Sequence, residues 1–373
     1  MKTPRIGIVG VHGYGAQHVR RVAALQEQGR VVLAATADPA PPDPGALPGG
    51  AVHHADADAM IAAGGLDVVI VATPIHTHAA IAGAAVDAGC DVLLEKPPTA
   101  TLAEFRDLLS RADARGALVQ VGFQSLGSDA VPAVRALIAE GAVGEVRRYG
   151  ATGTWVRADR YFTRSPWAGR RRMAGRVVAD GALTNPLAHA TATALAVAGR
   201  QHEDDVSGLD LEMLHANDIE ADDTSVARFA LRDAPSLTTA VTLCGAVREE
   251  PYVEVVGTSG RLRLYYTLDL VQVERDDAPF TRLHGRRPLL ENLLDARATG
   301  APLLSPLAES GAFMRLVDGV MAAPDPRAID AAHWSDVDDE EGRHRVVRGV
   351  EDAIRAALRA ESTFTGIGAP FIC

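Results

Sequence analysis

Five short apolar runs recur through the first 122 residues, at 5–10, 31–37, 67–72, 91–94 and 117–122, and helical segments separate them. Runs this apolar make strands buried on both faces. Strands that alternate with helices close into a parallel, doubly wound sheet. The sequence therefore predicts an α/β fold with an amino-terminal domain over 1–125.

The first unit has more detail. Arg5-Ile6-Gly7-Ile8-Val9-Gly10 reads as a strand, and Val11-His12-Gly13-Tyr14-Gly15 as a turn. From Gln17 to Gln28 the apolar residues Val19, Val22, Ala23 and Leu25 share a helical face. A second strand, Val31 to Ala37, ends at Asp38. Strand, glycine turn, helix, strand and acid within about 30 residues is the unit that dinucleotide sites use. Glycines let the backbone approach a pyrophosphate, the helix amino end holds the phosphates, and the acid takes the ribose hydroxyls. The glycine pattern departs at one position, because His12 stands where the second glycine is usual. Asp38 selects NAD over NADP: it repels a 2′-phosphate, and residues 39–50 contain no Lys or Arg to neutralise one.

Asp91-Val92-Leu93-Leu94 runs into Glu95-Lys96-Pro97-Pro98. The prolines stop the strand, since they cannot donate to a ladder. A lysine is thereby placed at the carboxyl end of a parallel strand, the edge where open α/β sheets bind ligands. Thr73-Pro74-Ile75-His76-Thr77-His78 follows the preceding strand at the same edge. Two histidines spaced by two make no metal site without a further ligand, so His76 and His78 are expected to cap the loop and contact a cofactor.

After about residue 125 the pattern changes. Ala130–Glu140 reads as a helix and Val146–Val156 as a strand. Residues 161–176 are polar, aromatic and arginine-rich, without a clean period. Helix is expected from about Asn185 to Gly199. Only strand-like segments occur from Val206 to Val273, which implies an antiparallel sheet, and terminal helices are expected at 307–322 and 343–360. The second domain is thus 126–373. Asn185 and His189, four apart, share a helical face. Asn185 is either an N-cap before Pro186 or a site residue, and His189 either a site residue or a core histidine. Trp155, Arg157, Arg160, Tyr161, Trp167 and Arg170 read as a sugar-binding loop or as domain packing. The arginines at 170, 171, 172 and 176 are either a solvated face or a phosphate or carboxylate site.

A net charge of −11 excludes the basic field of a nucleic-acid binder. No stretch reaches about 18 uninterrupted apolar residues, so no membrane span is expected. Residues 1–10 do not read as a signal peptide. Three cysteines, Cys90, Cys244 and Cys373, without metal spacing, fit a reducing cytoplasm.

The order and spacing of these pieces resemble the Gfo/Idh/MocA oxidoreductase family. The pieces are Gly7-Ile8-Val9-Gly10…Gly13…Gly15…His18, Ala37-Asp38-Pro39, Ala72-Thr73-Pro74…His78, Glu95-Lys96-Pro97, Val121-Gly122-Phe123-Gln124, Gly181…Asn185…His189 and Val255…Gly257-Thr258-Ser259-Gly260. The resemblance implies a Rossmann domain followed by a carboxy-terminal α/β domain with an open, mainly antiparallel sheet that often mediates dimers or tetramers. It implies NAD-dependent hydride transfer to or from a secondary alcohol of a sugar or cyclitol. It puts cofactor contacts at Gly10, His12, Gly13, Tyr14, Gly15, Asp38, Thr73, Pro74, His78, Glu95, Lys96 and Gln124. Lys96, often followed by a cis peptide bond in the family, and His189 take the active-site positions. His189 would serve as acid/base, and Lys96 would stabilise a developing alkoxide. Where the family has an acid, this chain has Asn185, which orients a hydroxyl but takes no proton from it. Trp155, Arg157, Tyr161, Trp167 and Arg170 are the expected substrate contacts, and no metal is called for. Two other classes stay open: redox-neutral, NAD-using glycoside cleavage by elimination, and a non-catalytic NAD-linked sensor or scaffold.

Overall fold

A computed structural model describes residues 2–43, 45, 47–275 and 278–372. Cys373, and Pro44 and Ala46 of the 39–50 loop, lie outside the described residues. The chain forms two compact units.

The first unit comprises Met1–Phe123 and Pro288–Ala308. Its elements are β1 (Arg5–Val9), α1 (Gly15–Glu27), β2 (Val32–Ala37), β3 (Val52–His54), α2 (Ala57–Ala62), β4 (Val68–Val71), α3 (His78–Asp87), β5 (Asp91–Leu94), α4 (Leu102–Arg115) and β6 (Val119–Val121). The strands form one parallel sheet ordered β3-β2-β1-β4-β5-β6, the doubly wound order. Every residue of β4 and β5 is buried, as expected of strands covered on both faces. α4 shows how local sequence sets an element. Thr101 accepts from Glu104 N–H while Glu104 reaches back to Thr101 N–H, a capping box, and Gly116 ends the helix in the left-handed region. Leu102, Phe105, Leu108 and Ala112 face inward.

The second unit comprises Gln124–Arg287 and Glu309–Cys373. Its elements begin with α5 (Ala130–Ala139), β7 (Val146–Thr154), α6 (Asp159–Phe162), β8 (Arg172–Met173), β9 (Arg176–Val177) and α7 (Ala188–Ala198). There follow β10 (Val206–His215), β11 (Thr224–Leu231), β12 (Leu237–Thr242), β13 (Tyr252–Gly257), β14 (Arg261–Tyr265), β15 (Leu270–Glu274) and β16 (Phe280–Leu283). After the excursion of α8 (Leu289–Thr299) into the first unit come α9 (Gly311–Ala322), β17 (Arg327–Ala328), β18 (Trp334–Val337), β19 (His344–Val347) and α10 (Val350–Ala360). Nine strands form a mainly antiparallel sheet, β16-β15-β14-β13-β7-β12-β11-β10-β17, with β7–β12 and β10–β17 parallel. β7 is covered on both faces: Gly153 lies against Leu187 and Gly150 against Leu358 of α10.

Several sequence expectations need correction. β3 was not anticipated, because Val52-His53-His54 is short and polar. α8, absent from the expected elements, belongs to the first unit, whereas the 126–373 division placed it in the second. Leu289, Leu290, Leu293 and Leu294 join the first sheet's core, and Arg297 pairs with Asp67 and Asp91. Of the segment 343–360 only 350–360 is helical. Trp334–Val337 and His344–Val347 pair instead as the antiparallel strands β18 and β19, and Gly349, at φ 75°, starts the turn into α10. The 307–322 helix begins at Gly311, after a single turn of 3₁₀ helix. α7 begins at Ala188 rather than near Asn185, and its N-cap is Leu187.

Candidate active site

Gly10 follows β1, Asp38 follows β2, Thr73 follows β4, and Glu95-Lys96 follow β5. Parallel strands put these residues at one edge of the sheet, at the carboxyl ends. Gly10 has φ 85° and Gly13 φ 54°, so the left-handed backbone falls on glycines and not on His12. That explains how a side chain is accommodated at position 12. The exposed His12 imidazole leans across to the Ala40 carbonyl, Nε2 to O 3.3 Å. A Cβ on Gly10 would strike the Ala72 carbonyl, and one on Gly15 the Gly10 carbonyl. Asp38 Oδ2 accepts from Val11 N–H at 3.0 Å and Oδ1 from Ala40 N–H at 3.0 Å, so the acid also braces the turn. Tyr14 is the N-cap of α1 and makes no side-chain cap, and its exposed ring meets His18 edge to face. A close turn with glycines at its left-handed positions, before a helix amino end, fits a dinucleotide pyrophosphate.

The Lys96 turn is held from two sides. Glu95 Oε1 is 2.9 Å from His18 Nε2 on α1, and Gly122 leaves room for that carboxylate. His78, 1% exposed, sets Nδ1 2.9 Å from the Pro97 carbonyl and Nε2 2.8 Å from the Thr73 carbonyl. The Lys96–Pro97 peptide is cis. His78 is thus a clamp between two loops, the capping role expected of it. Thr73 Oγ1 bonds Thr77 Oγ1 at 2.7 Å, and Pro74 is exposed.

Burial holds the His78 pKa below the ordinary 6.5, outweighing the two carbonyl contacts that raise it. A depressed histidine contributes stability that is present above about pH 6.5 and is lost as pH falls through the folded-state value, because the unfolded chain takes the proton first. The resistance of wild type to denaturant should therefore fall on acidification. His78→Gln should cost about 1–3 kcal/mol at neutral pH and lack that acid-sensitive component. An identical acid limb in both proteins would show that His78 does not cause it.

In the second unit, Gln124 opens a 3₁₀ turn and its carbonyl accepts from Arg286 Nη1 at 2.6 Å. His189, in the first turn of α7 and half-buried, has Nδ1 3.4 Å from Ser125 Oγ. Thr193 Oγ1 donates to the His189 carbonyl at 2.6 Å and lies 2.8 Å from Ser125 Oγ. Asn185 is no N-cap. Its Nδ2 donates to Asp180 Oδ1. Both Asp180 oxygens also accept from Arg164 Nη2, at 2.8 Å each, and Oδ2 accepts from Gly169 N–H at 2.7 Å. Because a carboxylate only accepts, the Asn185 amide nitrogen faces Asp180 and its oxygen turns the other way.

Around this lies a ladder of guanidinium and aromatic groups. Arg157 stacks on Trp155 at 4.5 Å and on Tyr161 at 5.0 Å, while Arg164 stacks on Tyr161 at 3.9 Å and on Trp167 at 4.7 Å. Burial pushes the Tyr161 phenol up to about 12, so it stays neutral at working pH. The outer arginines stand apart. Arg170 pairs at the surface with Glu220, Arg160 bonds the Glu341 carbonyl, and Arg171 is buried against the Val320 and Ala323 carbonyls and Asp325. Arg171 therefore caps the carboxyl end of α9 and forms no phosphate site. Sequence reading missed Asp180, Arg164 and Ser125. Asp180, five residues before Asn185 and beside Gly181, was the available signal.

Among the described residues no group of three or more His, Cys, Asp or Glu is placed to hold a metal ion, and no helix is long and apolar enough to cross a membrane.

Known proteins share this architecture. The levoglucosan dehydrogenase complex with NADH aligns with a TM-score of 0.72 and 20% identity over 86% of this chain and 96% of that one. The WlbA dehydrogenase of Bordetella pertussis, in complex with NADH and UDP-GlcNAcA, aligns at 0.69 and 21% over 86% and 95%. Inositol 2-dehydrogenase 1 of Saccharopolyspora erythraea is 35% identical over 164 residues, 43% of this chain and 49% of the relative. Inositol 2-dehydrogenase of Azotobacter vinelandii is 31% identical over 146 residues, 38% and 43%. The chain spans about half the length of the curated relatives it matches. Residues 4–123 match the oxidoreductase family's NAD-binding Rossmann fold, and residues 131–263 match the GFO/IDH/MocA carboxy-terminal domain. With both of its domains matched in order, the chain belongs to the Gfo/Idh/MocA oxidoreductase family.

Proposed function

We propose that the protein is an NAD-dependent oxidoreductase acting on a secondary alcohol of a sugar or cyclitol. The observation that carries the reading is the bracing of the Glu95-Lys96-Pro97 turn, by His18 on one side and His78 on the other, at the sheet edge that also carries Gly10 and Asp38. A bound nicotinamide supplies the hydride acceptor or donor. Gly10, Gly13 and Gly15 let the turn approach its pyrophosphate, and Asp38 takes the ribose hydroxyls. Lys96, as an ammonium, polarises the reacting oxygen and stabilises alkoxide character on it. His189 holds or releases the proton at a ring nitrogen, with Ser125 near Nδ1. Asn185 offers its amide oxygen to a neighbouring hydroxyl, which must then donate. The two described cysteines are buried free thiols, in keeping with a cytoplasmic protein. A homodimer or homotetramer through the open sheet completes the reading.

Its test is NADH formation across a panel of polyols and sugars, alongside a glycoside-cleavage screen. Alcohol-dependent NADH formation supports the reading, and bond cleavage without net NADH would replace it. Cofactor choice gives a further check. Wild type should bind NAD more tightly than NADP, and Asp38→Ala should narrow that gap by removing the repulsion. It should also lower NAD affinity itself, because Val11 N–H loses its acceptor. Tighter NADP binding by wild type would refute the assignment of Asp38.

A further inference from the structure

We propose that the substrate carries an anionic group, a carboxylate or a phosphate ester, and that Arg157 holds it together with Trp155 and Arg248. This rests on the alcohol-oxidoreductase reading above.

Arg157 is half-buried, and its guanidinium is sandwiched between the Trp155 and Tyr161 rings. Its Nε is buried and has no acceptor among the described residues, and the same is true of Trp155 Nε1. What Arg157 does bond is neutral: the Val156 carbonyl at 3.4 Å and the Tyr161 hydroxyl. Burial pulls its pKa down, and the Arg248 charge adds to that. Arg248 stacks on the same Trp155 ring at 5.3 Å. Two guanidinium groups therefore share one indole, and among the described residues neither has a carboxylate partner. A partly buried cation without a counter-charge is costly, so arginines in such places are normally paired.

The arginines around them obey that rule, and the nearby acids are already engaged. Arg164 has Asp180, which also serves Gly169 and Asn185. Glu249 pairs with Arg355, Glu250 accepts from Thr267, and Glu351 accepts from Ala246 N–H. Asp159 lies 3.7 Å from Arg343. The positive charge at half-buried Arg157 is left for a ligand, exposed Arg248 stands on the same indole, and two buried N–H donors accompany them. Guanidinium and indole N–H groups donate and never accept, so the group they suit is an acceptor-only anion. The ladder Arg157–Tyr161–Arg164–Asp180 leads in consecutive contacts to Asn185. A ligand whose hydroxyl meets Asn185 thus has its anionic end toward Arg157.

The experiment compares D-glucose, myo-inositol, D-glucuronate and D-glucose 6-phosphate as substrates of the full chain with NAD. The readout is the ratio of kcat/KM for an anion to that for a neutral polyol. In wild type at least one anion should be preferred by about 10-fold or more, and Arg157→Gln should lower the ratio by about 10–100-fold. Arg157→Lys, which keeps the charge without the planar fork, should fall between, so a loss through misfolding is recognised. Preference for glucuronate or for glucose 6-phosphate identifies the anion's source. Equal or better use of the neutral polyols, or an unchanged ratio in Arg157→Gln, overturns the proposal while leaving the oxidoreductase reading intact. If none of the four is oxidised, titration calorimetry of the two anions with NADH-loaded protein decides. Saturable, salt-weakened binding that Arg157→Gln loses supports the anion site independently of the oxidoreductase reading, and absence of binding overturns the site.

Discussion

Lys96→Ala is expected to bind NAD almost as wild type does and to lose turnover by on the order of 10²–10³. The side chain is not part of the phosphate turn, and the clamp that holds the loop acts through the Pro97 carbonyl and Glu95, which the substitution leaves in place. His189→Ala should likewise keep NAD affinity, with a loss of about 10²–10⁴ where proton transfer limits the rate. The two losses should not add in full, because groups serving one transition state act as a unit. Turnover and NAD titration for wild type, both single variants and the double variant measure this. Near-wild-type turnover in His189→Ala would remove it as the acid/base. Tyr161 is a poor replacement, since burial keeps its phenol protonated up to about 12, so Lys96 would be the next candidate.

Gly15→Ala is expected to abolish measurable NAD binding or weaken it by at least about 10-fold, and to lower stability by about 1–3 kcal/mol. The added Cβ falls on the Gly10 carbonyl, a backbone group that cannot rotate away as a side-chain tip can. His12→Gly is the control at the neighbouring position. The His12 side chain points to the Ala40 carbonyl and its backbone is not left-handed, so NAD affinity should change only a few-fold. Dinucleotide titration and thermal unfolding of both variants check this. A Gly15→Ala protein with wild-type affinity would mean that the turn is not the pyrophosphate cradle.

The Rossmann unit was legible because its signals are local. Fully buried parallel strands read as continuous apolar runs, glycines mark backbone that no other residue adopts cheaply, and Thr101…Glu104 and Gly116 bound α4 within the sequence itself. The second sheet was legible for the same reason, as successive strands and short turns. The candidate site was legible where one residue sits at a strand end, as with Asp38 and Lys96.

The rest depended on contacts remote in sequence. α8 completes the first core from nearly 170 positions away, with Gln120 Nε2 donating to the Leu289 carbonyl at 3.1 Å and to Asn292 Oδ1 at 2.6 Å. Nothing in Pro288–Gly300 states which sheet its leucines will meet. His78 was expected to cap its own loop, and only the arrival of the Pro97 carbonyl shows the second loop that it holds. Asn185 read either as a cap or as a site residue, and Asp180, which takes its amide nitrogen, fixes which way its oxygen points. Residue type alone does not say which of Arg157 and Arg164 meets a carboxylate. Tertiary structure gave Arg164 a carboxylate and left Arg157 between two rings without one, because charge pairing is settled by where the chain returns in space and not by residue type.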